Sequence, residues 1–314
     1  MLTAIVSFLL QYLVLALMLS IGLAARPGDL GQIVRRPRLY VRALLVMELA
    51  VPLLAILVVT VLPLPPRGAA LFLLVAVAPG APFIPAATKG KGARYSPVGL
   101  NLLVLVSLLA PLTVPAWLWI IDRVHPLGLG LDVTPLQVLR QVVTIALAPL
   151  TLGLAIRRLL PRAADVLWRV AHTFFLVAAA VAIAVLLYLG APVLLEVAPL
   201  TFAGGLIIVI GSALLGAWAA APEPEARRTT GVAAALGNPA LALAILAASY
   251  PRVEAAAFIA AYLIFRKLAL IPFELWVRRG AHRGTPGRGV PAALPSAPSS
   301  RPTVASGPRP QPQG

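Results

Sequence analysis

The stretch Ala78-Pro-Gly-Ala-Pro-Phe-Ile-Pro85 lies inside an apolar segment that runs from about Ala69 to Lys89. Proline lacks a backbone N–H and its ring collides with the preceding turn, so a helix entering this stretch is broken or kinked. A second interruption, Gly237-Asn238-Pro239, lies inside another apolar segment, Thr229 to Tyr250. Within hydrocarbon, unpaired backbone persists only against protein or a water-filled cavity. Two interrupted segments in corresponding halves of a multi-span chain point to the binding site of a transporter.

The composition supplies the membrane. The 314 residues are 60% hydrophobic and 11% charged, with a mean hydropathy of +0.95, which no water-soluble domain carries. There is no cysteine, so disulfides, thiolate metal sites and a cysteine nucleophile are excluded. The formal net charge of +16 suggests nucleic acid at first sight, but the basic residues sit between apolar spans and in the tail, so no nucleic-acid partner is expected.

Apolar segments fall near residues 2–24, 40–63, 69–89, 96–121, 135–156, 164–190, 198–221, 228–250 and 254–277. Each approaches the roughly 20 residues that cross a bilayer, so nine transmembrane helices are expected. The first carries no charged n-region and reads as a retained helix, not a signal peptide. Basic residues alternate from loop to loop. Arg26, Arg35, Arg36, Arg38 and Arg42 follow span 1, Lys89, Lys91 and Arg94 follow span 3, and Arg157, Arg158, Arg162 and Arg169 surround the turn after span 5. Arg227 and Arg228 follow span 7, and Arg278, Arg279 and Arg283 follow span 9, while the intervening loops are poorer. This puts the N-terminus outside and the C-terminus in the cytoplasm. Trp117, Trp119, Tyr188, Trp218 and Trp276 are expected at the interfaces. Residues 280–314, rich in Gly, Pro, Ser and Arg, cannot bury enough apolar area to order and are expected as a solvated tail after a membrane domain of residues 1–279.

Three charges are out of place. Arg266 and Lys267 lie midway along span 9, about 18 Å of helix from either end, where a cation marks a cavity or a buried pair. Glu48, inside span 2, is the candidate partner, or else a neutral buried carboxyl. Glu274, four residues before Arg278, suits an ordinary helical pair. Pro82 and Pro239 suit first-turn positions and Asn238 a helix N-cap, so each break is expected to start a second half-helix with its positive end at mid-membrane. With Arg266 and Lys267 nearby, the crossing is expected to be electropositive and to take anions.

Met18-Leu-Ser-Ile-Gly-Leu23 with Asp29-Leu30 and Arg35-Arg36-Pro37, then Pro79-Gly80 followed by Asn101 and Pro111 to Pro115, then Arg228-Thr-Thr-Gly-Val-Ala-Ala-Ala-Leu-Gly-Asn238 with Leu241-Ala-Leu-Ala, resemble the bile acid:sodium symporter family over Leu13 to Phe273. The resemblance implies an all-α fold of inverted repeats with two crossed discontinuous helices. Spans 2, 3, 4, 7, 8 and 9 form its core domain and spans 1, 5 and 6 a panel domain. It further implies a secondary transporter in the bacterial inner membrane that moves a small organic anion, a bile-acid-like or other carboxylate or sulfate, by alternating access, with no cofactor.

Departures concern sodium. Where sodium-coupled members carry Ser-Asn after the first break, this chain has Ile84-Pro85, and the family's glutamate and glutamine before the second-break asparagine align with Ala233 and Gly237. A further glutamine aligns with Met47, beside Glu48. Two-sodium coupling is therefore not expected, and a fixed ammonium at Lys267 with Glu48 as a protonatable partner is a conceivable replacement. No H-E-x-x-H, G-x-S-x-G or paired intramembrane aspartates occur, so an enzyme is not expected. A non-transporting receptor or scaffold of the same fold is the alternative, as is an auxin-efflux-like carrier. Arsenite carriers use a cysteine that is missing here.

Overall fold

The computed structural model describes residues 2–283 except 27, 79–81, 91, 125–133, 196, 222, 239–241 and 243–251. Pro79, Gly80 and Pro239 of the expected crossing, and the tail beyond residue 283, lie outside the described residues. The helices are α1 (Leu2–Ala24), α2 (Pro37–Val61), α3 (Pro66–Ala76), α4 (Ile84–Ala87), α5 (Pro97–Val124), α6 (Pro135–Leu159), α7 (Pro161–Leu195), α8 (Pro199–Ala219), α9 (Pro224–Ala235) and α10 (Arg252–Arg283). No strand occurs among the described residues. Seven of these helices begin on a proline, where the missing N–H would have had no partner and the fixed φ already suits the first turn.

Five helices are long and apolar enough to cross a membrane: α2, α5, α6, Pro161–Val185 of α7, and α8. Tyr12–Ala24 and α3 are shorter apolar helices. Leu45, Leu49, Leu53, Leu57 and Val61 recur at every fourth position of α2 and are all exposed, as are Val170, Phe174, Val177 and Val181 on α7. Stripes of large apolar side chains at helical spacing suit hydrocarbon and not water. The chain is an all-helical polytopic integral membrane protein.

Two interior prolines shape their helices. Pro52 and Pro149 each follow a π turn, Val46–Ala50 in α2 and Val143–Leu147 in α6. Pro52 has no N–H to give the Glu48 carbonyl four residues back. The Trp117 indole N–H of α5 donates to that oxygen instead, at 2.7 Å. Trp117 is thus buried inside the bundle and is not an interface residue. Trp119, Tyr188, Trp218 and Trp276 are exposed.

The apolar side chains collect into two main clusters. One joins α2, α3, α4, α5, α8, α9 and α10 with Val138 and Val142 of the first half of α6, and the other joins α1, the second half of α6 and α7 to the start of α5. Helices α1 and α6 approach backbone to backbone, since a Cβ on Gly153 would stand 2.6 Å from the Leu19 carbonyl oxygen. Helix α8 packs along α9 and touches α2 and α10, while α7 reaches α10.

Polar contacts gather loops onto opposite faces. On one face Arg36 pairs with Glu223 at 2.8 Å, Arg94 and Arg157 share Asp165 at 3.0 Å each, and Arg94 covers the Trp168 ring at 4.0 Å. The Arg157 Nε–H also donates to the Leu23 carbonyl at the end of α1. The other face brings Arg67 over the Phe258 ring at 5.9 Å and Gly68 against Thr201. Two boundaries differ from expectation: α2 starts at Pro37, which centres Glu48 in the helix, and α10 runs on to Arg283, into the stretch expected as tail.

Candidate functional site

Helix α3 ends at Ala76, and Val77 and Ala78 continue toward the break. Helix α9 ends at Ala235, after which Leu236 leaves helical geometry at φ −94, ψ 88. The two ends meet. The Asn238 N–H donates to the Ala78 carbonyl at 2.6 Å. Gly237 lies directly on Val75, whose carbonyl oxygen and Cγ1 a Cβ at 237 would strike, so only glycine permits this approach. The two interrupted segments therefore cross in contact at their break points.

Beyond the breaks the geometry follows expectation only in part. After the first, Pro82 sits buried in a turn, Phe83 is the cap, and α4 is a single turn containing the buried Ile84 and Pro85. One turn sums too few peptide dipoles to present a positive helix end. After the second, the buried Ala242 N–H donates to the Asn238 carbonyl at 3.0 Å, the four-residue step of a helix that starts at Asn238, as expected; residues 239–241 and 243–251 lie outside the described residues. The C-terminal ends of α3 and α9 also face the crossing, and as helix C-termini they carry partial negative charge.

Arg266 answers them. It sits at the centre of α10, 7% exposed, and its Nη1 donates to the Gly237 carbonyl at 3.4 Å. Its guanidinium lies 5.5 Å from the centroid of the Tyr262 ring, one turn earlier. Lys267 points elsewhere: its side chain is 72% accessible, with the ammonium 3.4 Å from Glu274 Oε1. Glu48 is 6% exposed, neither of its carboxyl oxygens has a hydrogen-bond partner among the described residues, and it forms no ion pair there. The Thr113 hydroxyl faces it but donates to the Leu109 carbonyl at 3.3 Å. Of the three expected midplane charges, the structure brings Arg266 to the crossing and pairs Lys267 with Glu274.

A cavity of about 20 Å³ opens beside the crossing, lined among others by Met47, Val75, Ser212, Ala233, Gly237 and Tyr262. It has room for about one water. Met47, Ala233 and Gly237 are the positions that align with sodium ligands in the resemblance, and the fold brings them to this one cavity. They present a thioether, a methyl group and a hydrogen. The Ser212 hydroxyl is the one lining side chain whose buried oxygen has no partner among the described residues. A hard cation needs several oxygen ligands at once. These side chains do not fit sodium.

Asn101 lies away from the crossing, in the second turn of α5. Its Nδ2 donates to the Asp29 carbonyl at 3.0 Å and to the Tyr40 hydroxyl at 2.8 Å. Asp29 also receives the Tyr95 hydroxyl and the Arg26 N–H, so this cluster fastens the loop after α1 to α5. Burial, and then the Asp29 carboxylate, push the Tyr95 phenol above its ordinary range.

In the sequence Arg228 falls among the basic residues after span 7 and at the head of the second interrupted segment, with no expected partner. Pro224 at the first position of α9 puts it one turn into the helix, where it donates to the Ala87, Thr88 and Lys89 carbonyls at 3.3–3.5 Å and pairs with Glu274 at 3.5 Å. One guanidinium thus ties the piece after the first break to the helix that enters the second. The start-of-helix proline was the signal that could have found it.

None of the curated proteins compared with the chain matches it. The sequence model of the Sodium Bile acid symporter family matches residues 11–197, from α1 through the first break to just past the end of α7. The match spans more than half of the chain, which therefore belongs to that family, a family of membrane transporters and not of enzymes.

Proposed function

We propose that this member of the sodium bile acid symporter family is a secondary transporter of a small organic anion, a carboxylate or sulfate on a hydrophobic skeleton, working by alternating access without two-sodium coupling. Nine membrane-crossing segments in inverted repeats form it. The core is α2, α3 with α4, α5, α8, α9 with its continuation, and α10, and it moves against a panel of α1, α6 and α7. The N-terminus is outside and the C-terminus cytoplasmic, in a bacterial inner membrane.

The carrying observation is the crossing: the Asn238 N–H on the Ala78 carbonyl at 2.6 Å, with the buried Arg266 on Gly237 beside it. Broken helices meeting at mid-membrane are the mark of alternating-access carriers. The cluster that joins α1, α7 and the second half of α6 supports the panel, with Val138 and Val142 of α6 packing onto the core cluster. The Arg36–Glu223 and Arg94–Asp165–Arg157 contacts support the orientation, because they join the basic loops after spans 1, 3, 5 and 7 on one face. The anion itself rests on the family.

The test is a melting screen of the purified protein against carboxylates and sulfates on hydrophobic skeletons, followed by counterflow in proteoliposomes. A ligand at a hundred times its Kd stabilises by about 2.7 kcal/mol, a readily measured shift. At least one such anion is expected both to raise the melting temperature and to exchange across the bilayer. An anion that stabilises the protein yet never exchanges contradicts transport and favours a receptor.

A further inference from the structure

In broken-helix carriers the C-terminal ends of half-helices and the unwound carbonyls beside them hold the coupling cation. Here two such ends, those of α3 and α9, meet at Ala78 and Gly237. They present negative partial charge in a region with little water to answer it. The side chains that would complete a sodium shell are replaced by Met47, Ala233 and Gly237 around a single small cavity. Ser212 Oγ, 1% exposed at the residue level, is left there without a partner among the described residues.

The positive charge comes from the chain itself. Arg266 is buried, and it donates to the Gly237 carbonyl in the unwound stretch just past the end of α9. Its guanidinium lies against Tyr262, which also lines the cavity. No carboxylate pairs with Arg266 among the described residues, since Glu274 receives Arg228 and Lys267, and Glu48 forms no ion pair. The backbone group that answers this buried cation among the described residues is the Gly237 carbonyl, in the unwound stretch that meets Ala78.

We infer that Arg266 is a tethered cation standing where a co-transported one would otherwise bind, so that the crossing is charge-balanced without sodium. A guanidinium is suited to this because it is always charged, weakly hydrated and able to donate to several carbonyls at once. Its meaning for transport rests on the carrier reading above. The ion preference of the folded protein does not, and the two can fail separately.

The experiment compares melting of the purified full chain in sodium, potassium and choline chloride at equal ionic strength, for the wild type, Arg266→Lys and Arg266→Met. A sodium site filled at a hundred times its Kd would raise melting by about 5–10 °C. The wild type is expected to differ by less than about 1 °C between salts, on the same scale. Arg266→Lys keeps a charge and is expected to retain most of the stability and the indifference to sodium. Arg266→Met removes the charge at similar length, is expected to melt lower, and to regain part of the loss in sodium or in dilute methylguanidinium. A sodium-specific rise in the wild type overturns the inference. So does an Arg266→Lys protein no more stable than Arg266→Met, because the charge would then be irrelevant. If Arg266→Met does not fold, the wild-type salt comparison still decides, and sodium-dependent uptake of an organic anion would overturn the inference while leaving the carrier reading intact.

Discussion

Replacing Gly237 by alanine adds one methyl group at the tightest point of the crossing. The new Cβ would strike the Val75 carbonyl and Cγ1, and a backbone carbonyl cannot rotate away as a side-chain tip can. The segments must separate, which stretches the 2.6 Å bond from the Asn238 N–H to the Ala78 oxygen. Overpacking of this kind costs about 1–3 kcal/mol. A buried amide that loses its partner adds about 1–3 kcal/mol more. At roughly 2–4 °C per kcal/mol, Gly237→Ala should lower the melting temperature by about 5–20 °C. Thermal unfolding in detergent, followed by tryptophan fluorescence, reads this directly. Gly90→Ala is the control, because nothing lies within 4 Å of a Cβ there, and it should stay within about 0.5 kcal/mol of wild type. A Gly237→Ala protein that melts within about 2 °C of wild type would mean that the segments do not touch at this point.

Three further outcomes rest on particular contacts. Trp117→Phe leaves the Glu48 carbonyl, already deprived of a donor by Pro52, without its 2.7 Å indole bond, and should cost about 1–3 kcal/mol in the same melting assay. Arg228→Ala should destabilise more than Lys267→Ala, because Arg228 serves three carbonyls and Glu274 whereas the Lys267 side chain is 72% accessible. The exposed lysine pair is worth no more than about 1 kcal/mol, and Arg228→Lys should not restore the contacts that a planar fork makes. Gly153→Val should separate α1 from α6 at the Leu19 carbonyl, 2.6 Å from a Cβ at 153, and lower stability by about 1–3 kcal/mol.

The sequence made the crossing legible because both of its ingredients are local. A lone proline is absorbed inside a helix, as Pro52, Pro111 and Pro115 are, but the clustered Pro79 to Pro85 and the Gly237 to Pro239 triplet interrupt two apolar segments at matching depths. The inward turn of Arg266 was not legible. Adjacent residues on a helix point about 100° apart, so one of Arg266 and Lys267 had to face away from the other, and the sequence offers no sign of which. The pairing of Lys267 with Glu274, seven residues on, follows from the helix surface and displaces Glu48 as its expected partner. The length of the piece after the first break was also hidden: it is one turn, Ile84–Ala87, where the spacing suggested more. Trp117 looked like an interface residue because tryptophans usually are at such positions. Its actual role follows from Pro52, sixty-five residues away in the chain, which frees the carbonyl that the indole takes.

The most direct test of the crossing uses the absence of cysteine from the natural chain. In the Ala78→Cys, Asn238→Cys double variant, the backbone bond between these two residues holds their Cα atoms within roughly the 4.4–6.8 Å that a disulfide spans. Mild oxidation should therefore link them within one chain, with both thiols lost to maleimide labelling and recovered by reductant. If both thiols stay free under oxidation, while each single variant labels normally and the protein remains folded, the two broken segments do not cross at Ala78 and Asn238.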